Sequence, residues 1–160
     1  MIATDVTRSW AIEQLRLLGL RGPEIYLLDA VPVAGMCWAD GELQVEELQV
    51  LRDFTLERMD EVNRIAGYPV LRQADAVRFL HRLMREKPSP SYLRLLTHLV
   101  RPVRLATSDE RLNRQRRSAI LAACLEAGAA APSRREQNTR ARFSREEKTW
   151  FEEVCDALSA

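Results

Sequence analysis

Along almost the whole chain the apolar residues recur every three or four positions, while the alternating apolar and polar pattern of a strand is nearly absent. Glycine is scarce, and the β-branched residues do not gather into short runs bounded by turns. A sequence with that single periodicity can bury its apolar stripes only by packing helix on helix. The expected fold class is therefore all-α, a compact bundle of about seven helices. Its 160 residues fit one domain, 1–160, with a core large enough to need no metal or disulfide staple.

The helix boundaries follow from caps and breakers. A first helix is predicted over Thr7–Leu18, with Thr4 or Asp5 as its cap and the glycines at 19 and 22 as its stop. Pro23 suits the first turn of a second helix, which runs to Ala39 and carries Pro32 inside it. An internal proline predicts a kink costing on the order of 3 kcal/mol. After Asp40-Gly41, a third helix spans Val45–Ile65 with Leu48, Leu51, Thr55, Met59 and Val62 on one stripe, and Gly67 ends it. A fourth, over residues 74–86, places Val77, Leu80, His81 and Met84 on one face. A fifth, over residues 91–105, buries Tyr92, Leu95, Leu96 and Leu99, with Pro102 bending or ending it. A sixth opens at Asp109 and Glu110 and runs to Ala127. The last begins with Ser144-Arg145-Glu146-Glu147, a capping box, and buries Trp150, Phe151, Val154 and Leu158. Residues 128–142 carry no apolar periodicity and are expected to form a mobile loop.

Composition removes several function classes. A formal charge of +1 excludes a globally polybasic or polyacidic protein, so electrostatic function must be local. The apolar run at residues 25–39 is too short to span a bilayer and contains Asp29 and Pro32. With no basic-then-apolar leader at the N-terminus, a cytoplasmic location without membrane insertion is expected. Cys37, Cys124 and Cys155 have no C-x-x-C spacing and read as buried thiols. His81 and His98 read as packed or partly exposed histidines. Neither a Gly-rich phosphate loop nor zinc-ligand spacing is present, and the expectation is a protein that is not an enzyme.

The most informative stretch is Met36-Cys37-Trp38-Ala39-Asp40-Gly41-Glu42-Leu43-Gln44-Val45-Glu46-Glu47. It reads as helix, tight turn, helix, with Asp40, Glu42, Glu46 and Glu47 concentrated at the turn. Each has a structural explanation, since Gly41 allows the turn, Asp40 can cap, and Glu46 and Glu47 favour the helix dipole. Clustered carboxylates also suit a hard divalent cation, Ca²⁺ or Mg²⁺, with these four residues as ligands. An EF-hand is excluded. With Gly41 at that loop's glycine, Met36 and Trp38 fall at ligand positions and supply no side-chain oxygen.

The combination of Ala39-Asp40-Gly41-Glu42 after an apolar helix with Glu46-Glu47 opening the next resembles the tellurite-resistance TerB-like family. That resemblance implies an all-helical, non-enzymatic binding or stress-response module. It also implies an internal repeat, each half carrying an acidic helix-turn-helix, and an acidic patch that takes metal ions or a protein partner. The second turn would fall at residues 123–128 and resume at Ser144. There Ala127 stands where an aspartate is expected, and a segment with Arg134, Arg135, Arg140 and Arg142 follows Gly128.

Charge segregation supplies a rival reading. Residues 36–63 carry eight carboxylates against two arginines, and residues 111–148 carry ten cationic side chains against four carboxylates. Arg114, Arg117, Arg134, Arg135, Arg140 and Arg142 would then dock nucleic acid or an acidic protein surface. No aromatic residue is interleaved with them to stack on single-stranded bases.

Overall fold

The computed structural model describes residues 2–130 and 143–159, with side chains from residue 7 onward. Seven α-helices lie in that part of the chain: α1 (Ile2–Leu17), α2 (Ala30–Trp38), α3 (Val45–Ala66), α4 (Gln73–Met84), α5 (Pro90–Arg104), α6 (Glu110–Ala129) and α7 (Arg145–Leu158). A 3-10 turn, Gly22–Leu27, joins α1 to α2. The described residues contain no strand, and the all-α bundle expected from periodicity is what they form. Among them no helix is long and apolar enough to cross a membrane.

Helix α2 is the axis of the bundle. Every residue from Ala30 to Cys37 is buried, and the helix packs most extensively on α6 while also touching α3, α4, α5 and α7. A helix this apolar on all sides is stable only when surrounded. Pro32 does not kink it. The expected long second helix is instead broken into the 3-10 turn and α2, which places Pro32 in the first turn of α2, where backbone N–H groups lack helical acceptors anyway. Its carbonyl accepts the indole N–H of Trp150 at 2.9 Å. One turn further along, Gly35 leaves the space that the Trp150 ring fills. Proline and glycine in α2 thus fit one tryptophan of α7.

The start of α2 is fixed by a buried ion pair. Asp29 is fully buried and accepts from Arg104 Nε at 3.0 Å and from Arg104 Nη2 at 3.4 Å. The Arg104 guanidinium also lies 5.7 Å from the Tyr26 ring centroid. Arg116 on α6 donates to the Arg104 carbonyl at 3.0 Å and reaches Glu61 on α3 at 3.4 Å, and Glu61 pairs in turn with Arg58 at 2.6 Å. The chain of charges therefore links the helices around α2. Two side-chain amides make similar joints. Asn63 exchanges two 2.9 Å hydrogen bonds with the backbone of Leu71, and Asn113 holds Thr107 before α6.

Several boundaries and faces differ from the sequence reading. Helix α1 begins at Ile2, so Thr4 and Asp5 lie within it and do not cap it. The buried stripe of α4 is Ala76, Phe79, Leu80 and Leu83, one residue out of phase with the expected one. Val77 and His81 are exposed in consequence. The two stripes have the same spacing, and the one that carries Phe79 buries more carbon. On α5, Leu95 is likewise exposed and Leu93, Leu96 and Val100 are buried. Pro102 neither stops α5 at once nor lies mid-helix; the helix ends two residues later. Gly128, expected to open a loop, is buried within α6, which continues to Ala129; residues 131–142 of that expected loop lie outside the described residues. The capping box at Ser144 and the glycine stop at Gly67, with φ of 77°, stand as expected.

Two stability outcomes follow. Arg104→Met should cost about 3–5 kcal/mol in urea unfolding, because it strands the Asp29 carboxylate, whereas Asp29→Leu combined with Arg104→Met should recover part of that loss. Additive losses in the double variant would contradict the pairing. Gly35→Ala should destabilise by about 1–3 kcal/mol through its overlap with the Trp150 ring, and a neutral effect in thermal unfolding would refute that packing.

Candidate functional site

The acidic stretch is built as a braced turn between α2 and α3. Helix α2 ends at Trp38, whose indole N–H donates to the Leu83 carbonyl of α4 at 2.8 Å. The chain reverses at Gly41, with φ of 94°, a value that glycine adopts without steric cost. The Gly41 N–H donates to the Trp38 carbonyl at 2.8 Å. Asp40 Oδ1 accepts the Glu42 N–H at 3.3 Å, closing a small side-chain turn. Gln44, extended and preceding the first helical residue, then caps α3.

The four carboxylates singled out in the sequence do not share one environment. Asp40, Glu42 and Glu46 are exposed. Glu47 is turned inward, only 1 % exposed, and its Oε1 accepts the Gln44 N–H at 3.2 Å, the reciprocal half of a capping box. The thiol of Cys37 donates to the Glu47 carbonyl at 3.5 Å, so the last turn of α2 grips the first turn of α3. Glu47 is the brace of this turn. Among the described residues no group of three or more His, Cys, Asp or Glu side chains is arranged to hold a metal ion.

The start of α7 repeats that brace. Glu147 is 1 % exposed, and its Oε1 accepts the Ser144 N–H at 3.2 Å and the Ser144 hydroxyl at 2.8 Å. Glu47 and Glu147 thus hold equivalent positions, each three residues after the cap of its helix. Sequence reasoning paired these segments but looked for the likeness in exposed carboxylates. The shared feature is a buried one.

The arginines of the rival reading are divided. Arg114 is exposed, but Arg117 donates its Nε–H to the Leu158 carbonyl at 2.8 Å and so ties α6 to the end of α7. Arg134, Arg135, Arg140 and Arg142 lie outside the described residues. His81 and His98 are both exposed. Sequence reasoning also passed over an open cleft beside the acidic turn, lined by Trp38 and Trp150 together with Lys87, Pro88 and Arg145. Its walls come from positions 35–39, 87–94 and 145–153, and no single stretch signals it.

The cysteines are held as thiols by burial. Cys37 and Cys124 are buried and Cys155 partly so, all as free thiols. Burial first, then the neighbouring negative charge of Glu47, pushes the Cys37 thiol well above its ordinary range. Burial raises Cys124 as well. A thiol that stays protonated when folded but ionises near about pH 8.5 when unfolded makes the unfolded state the poorer proton binder above that pH. Full stability is therefore present below that pH, and it should fall as pH rises beyond that point. Urea unfolding from about pH 7 to about pH 10 should show this decline, and Cys124→Ala should lessen it while Cys37 keeps the rest; an unchanged slope would contradict the assignment. Compared with protein-family models, curated proteins and solved structures, the chain matches none of them.

Proposed function

We propose that this chain is a non-enzymatic binding module, TerB-like in its acidic helix-turn-helix and of the stress-response type that this resemblance implies. It acts by presenting the turn from Asp40 to Glu46 to a basic surface on a protein partner. One observation supports this reading above the others: Glu47 is held inside as a brace while Asp40, Glu42 and Glu46 face solvent on a turn anchored to α2, α3 and α4. A rigid turn presents charge with little ordering cost on binding. Exposed carboxylates of this kind steer association and favour a complementary partner.

A divalent cation, Ca²⁺ or Mg²⁺, would draw on Asp40, Glu42 and Glu47 with Glu46 in support, but Glu47 is turned inward as the brace. It is the weaker reading because hard ions need several oxygens converging on one point. The arginine-rich alternative, an adaptor for nucleic acid or an acidic protein, has less support, since Arg117 is engaged inside the bundle.

Replacing Asp40, Glu42 and Glu46 by their amides separates these readings. In affinity capture from host extract, the wild-type chain should retain a partner at low salt and release it as salt rises, and the triple variant should not retain it. Equal retention by both would sink the proposal. Millimolar Ca²⁺ or Mg²⁺ should leave the thermal midpoint of either protein nearly unchanged; a rise of several degrees confined to wild type would make the turn a cation site instead.

A further inference from the structure

Between α2, the connection from α4 to α5, and the first half of α7 runs an open cleft of about 420 Å³. Trp38, Trp150 and Leu93 form its apolar floor, and Pro88 and Pro90 stand at one side. Both indole N–H groups are already used by internal carbonyls, Trp38 by Leu83 and Trp150 by Pro32. Half-buried Trp38 therefore offers carbon surface to the cleft, Trp150, only 8 % exposed, shows it an edge, and neither offers a donor.

The charges on the rim are not all balanced. Arg94 is paired with Glu153 at 3.0 Å across the cleft. Lys87 and Arg145 have no ion-pair partner among the described residues, nor does Glu146. Helices α5 and α7 both begin at this cleft, at Pro90 and Arg145, so two helix N-termini add partial positive charge to it. The lining holds three cations, Lys87, Arg94 and Arg145, against two carboxylates, Glu146 and Glu153, and with the helix N-termini this small excess favours an anion.

We propose that the cleft docks a short segment of a protein partner in which an apolar side chain sits next to a carboxylate. The apolar side chain covers Trp38 and the exposed edge of Trp150, and the carboxylate meets Lys87 and Arg145. Other occupants fit less well. A basic segment would bring like charge against both cations. A polyproline segment displays carbonyls that aromatic grooves recognise with N–H or O–H donors, and here both indole donors are committed elsewhere. A volume near 420 Å³ is in the range of ordinary ligand pockets and suits one anchoring side chain with its neighbours.

The test is selection of a random short-peptide library on the full chain, followed by fluorescence anisotropy with the enriched peptides. Enriched peptides should combine Leu, Phe or Trp with an adjacent Asp or Glu. Lys87→Glu combined with Arg145→Glu should weaken their binding at least about tenfold. That variant should keep its thermal midpoint, since Lys87 and Arg145 are exposed and glutamate is favourable in the first turn of α7. Enrichment of basic, neutral or proline-rich peptides would overturn the proposal. So would no enrichment, self-association of the chain through this cleft, or undiminished binding in the charge-reversed variant. Amide substitution at Asp40, Glu42 and Glu46 leaves the cleft residues untouched, so this proposal and the reading of the acidic turn fail separately.

Discussion

The buried pairing of Asp29 with Arg104 is the constraint on which the rest of the arrangement rests. A carboxylate taken wholly out of water is tolerable only if its charge is matched and its oxygens are hydrogen-bonded. Arg104 does both, from the far end of α5. Because Asp29 immediately precedes α2, its partner sets where the buried helix begins and which way it runs. Apolar burial supplies most of the driving force, roughly 1.5–3 kcal/mol for each large side chain, but it is indifferent to direction. The ion pair, extended through Arg116, Glu61 and Arg58, supplies the direction.

From that fixed start the surface features follow in order. Helix α2 delivers Gly35 beneath Trp150 and ends with Trp38 against α4. The chain must then reverse at the surface, and Gly41 lets it do so. Glu47 closes the turn from inside, which leaves Asp40, Glu42 and Glu46 on a rigid projection. The same two tryptophans floor the cleft next to it. A methyl group at Gly41 would stand 3.8 Å from the Lys87 ammonium, so the acidic turn and the cationic rim meet there. An acidic turn and a cleft with a cationic rim are thereby held by one buried helix.

Fold class, most boundaries and the turn at Gly41 were legible in the sequence because they depend on local signals. Ser144 with Glu147, and Gly67 after α3, mark caps within a few residues. What was not legible depends on partners far along the chain. Asp29 stood out inside an apolar run, but nothing local named Arg104, 75 positions away. The phase of α4 turned on whether Phe79 or Val77 faced inward, and tertiary packing decides that. Pro32 read as a kink because the 3-10 turn before it leaves little mark in composition. Glu47 and its neighbour Glu46 look alike in sequence; only the cap geometry separates a buried brace from an exposed charge. The cleft was invisible for the same reason, being assembled from three distant segments.

Carboxylate footprinting of the chain bound to its captured partner tests the central claim most directly. A carbodiimide with a small amine labels exposed Asp and Glu, and the labelled positions are read by mass spectrometry. Asp40, Glu42 and Glu46 should be labelled in the isolated chain and protected in the complex, while the exposed Asp53 and Glu57 on α3 should be labelled in both. Labelling of Asp40, Glu42 and Glu46 to the same extent in the complex as in the isolated chain would contradict the account.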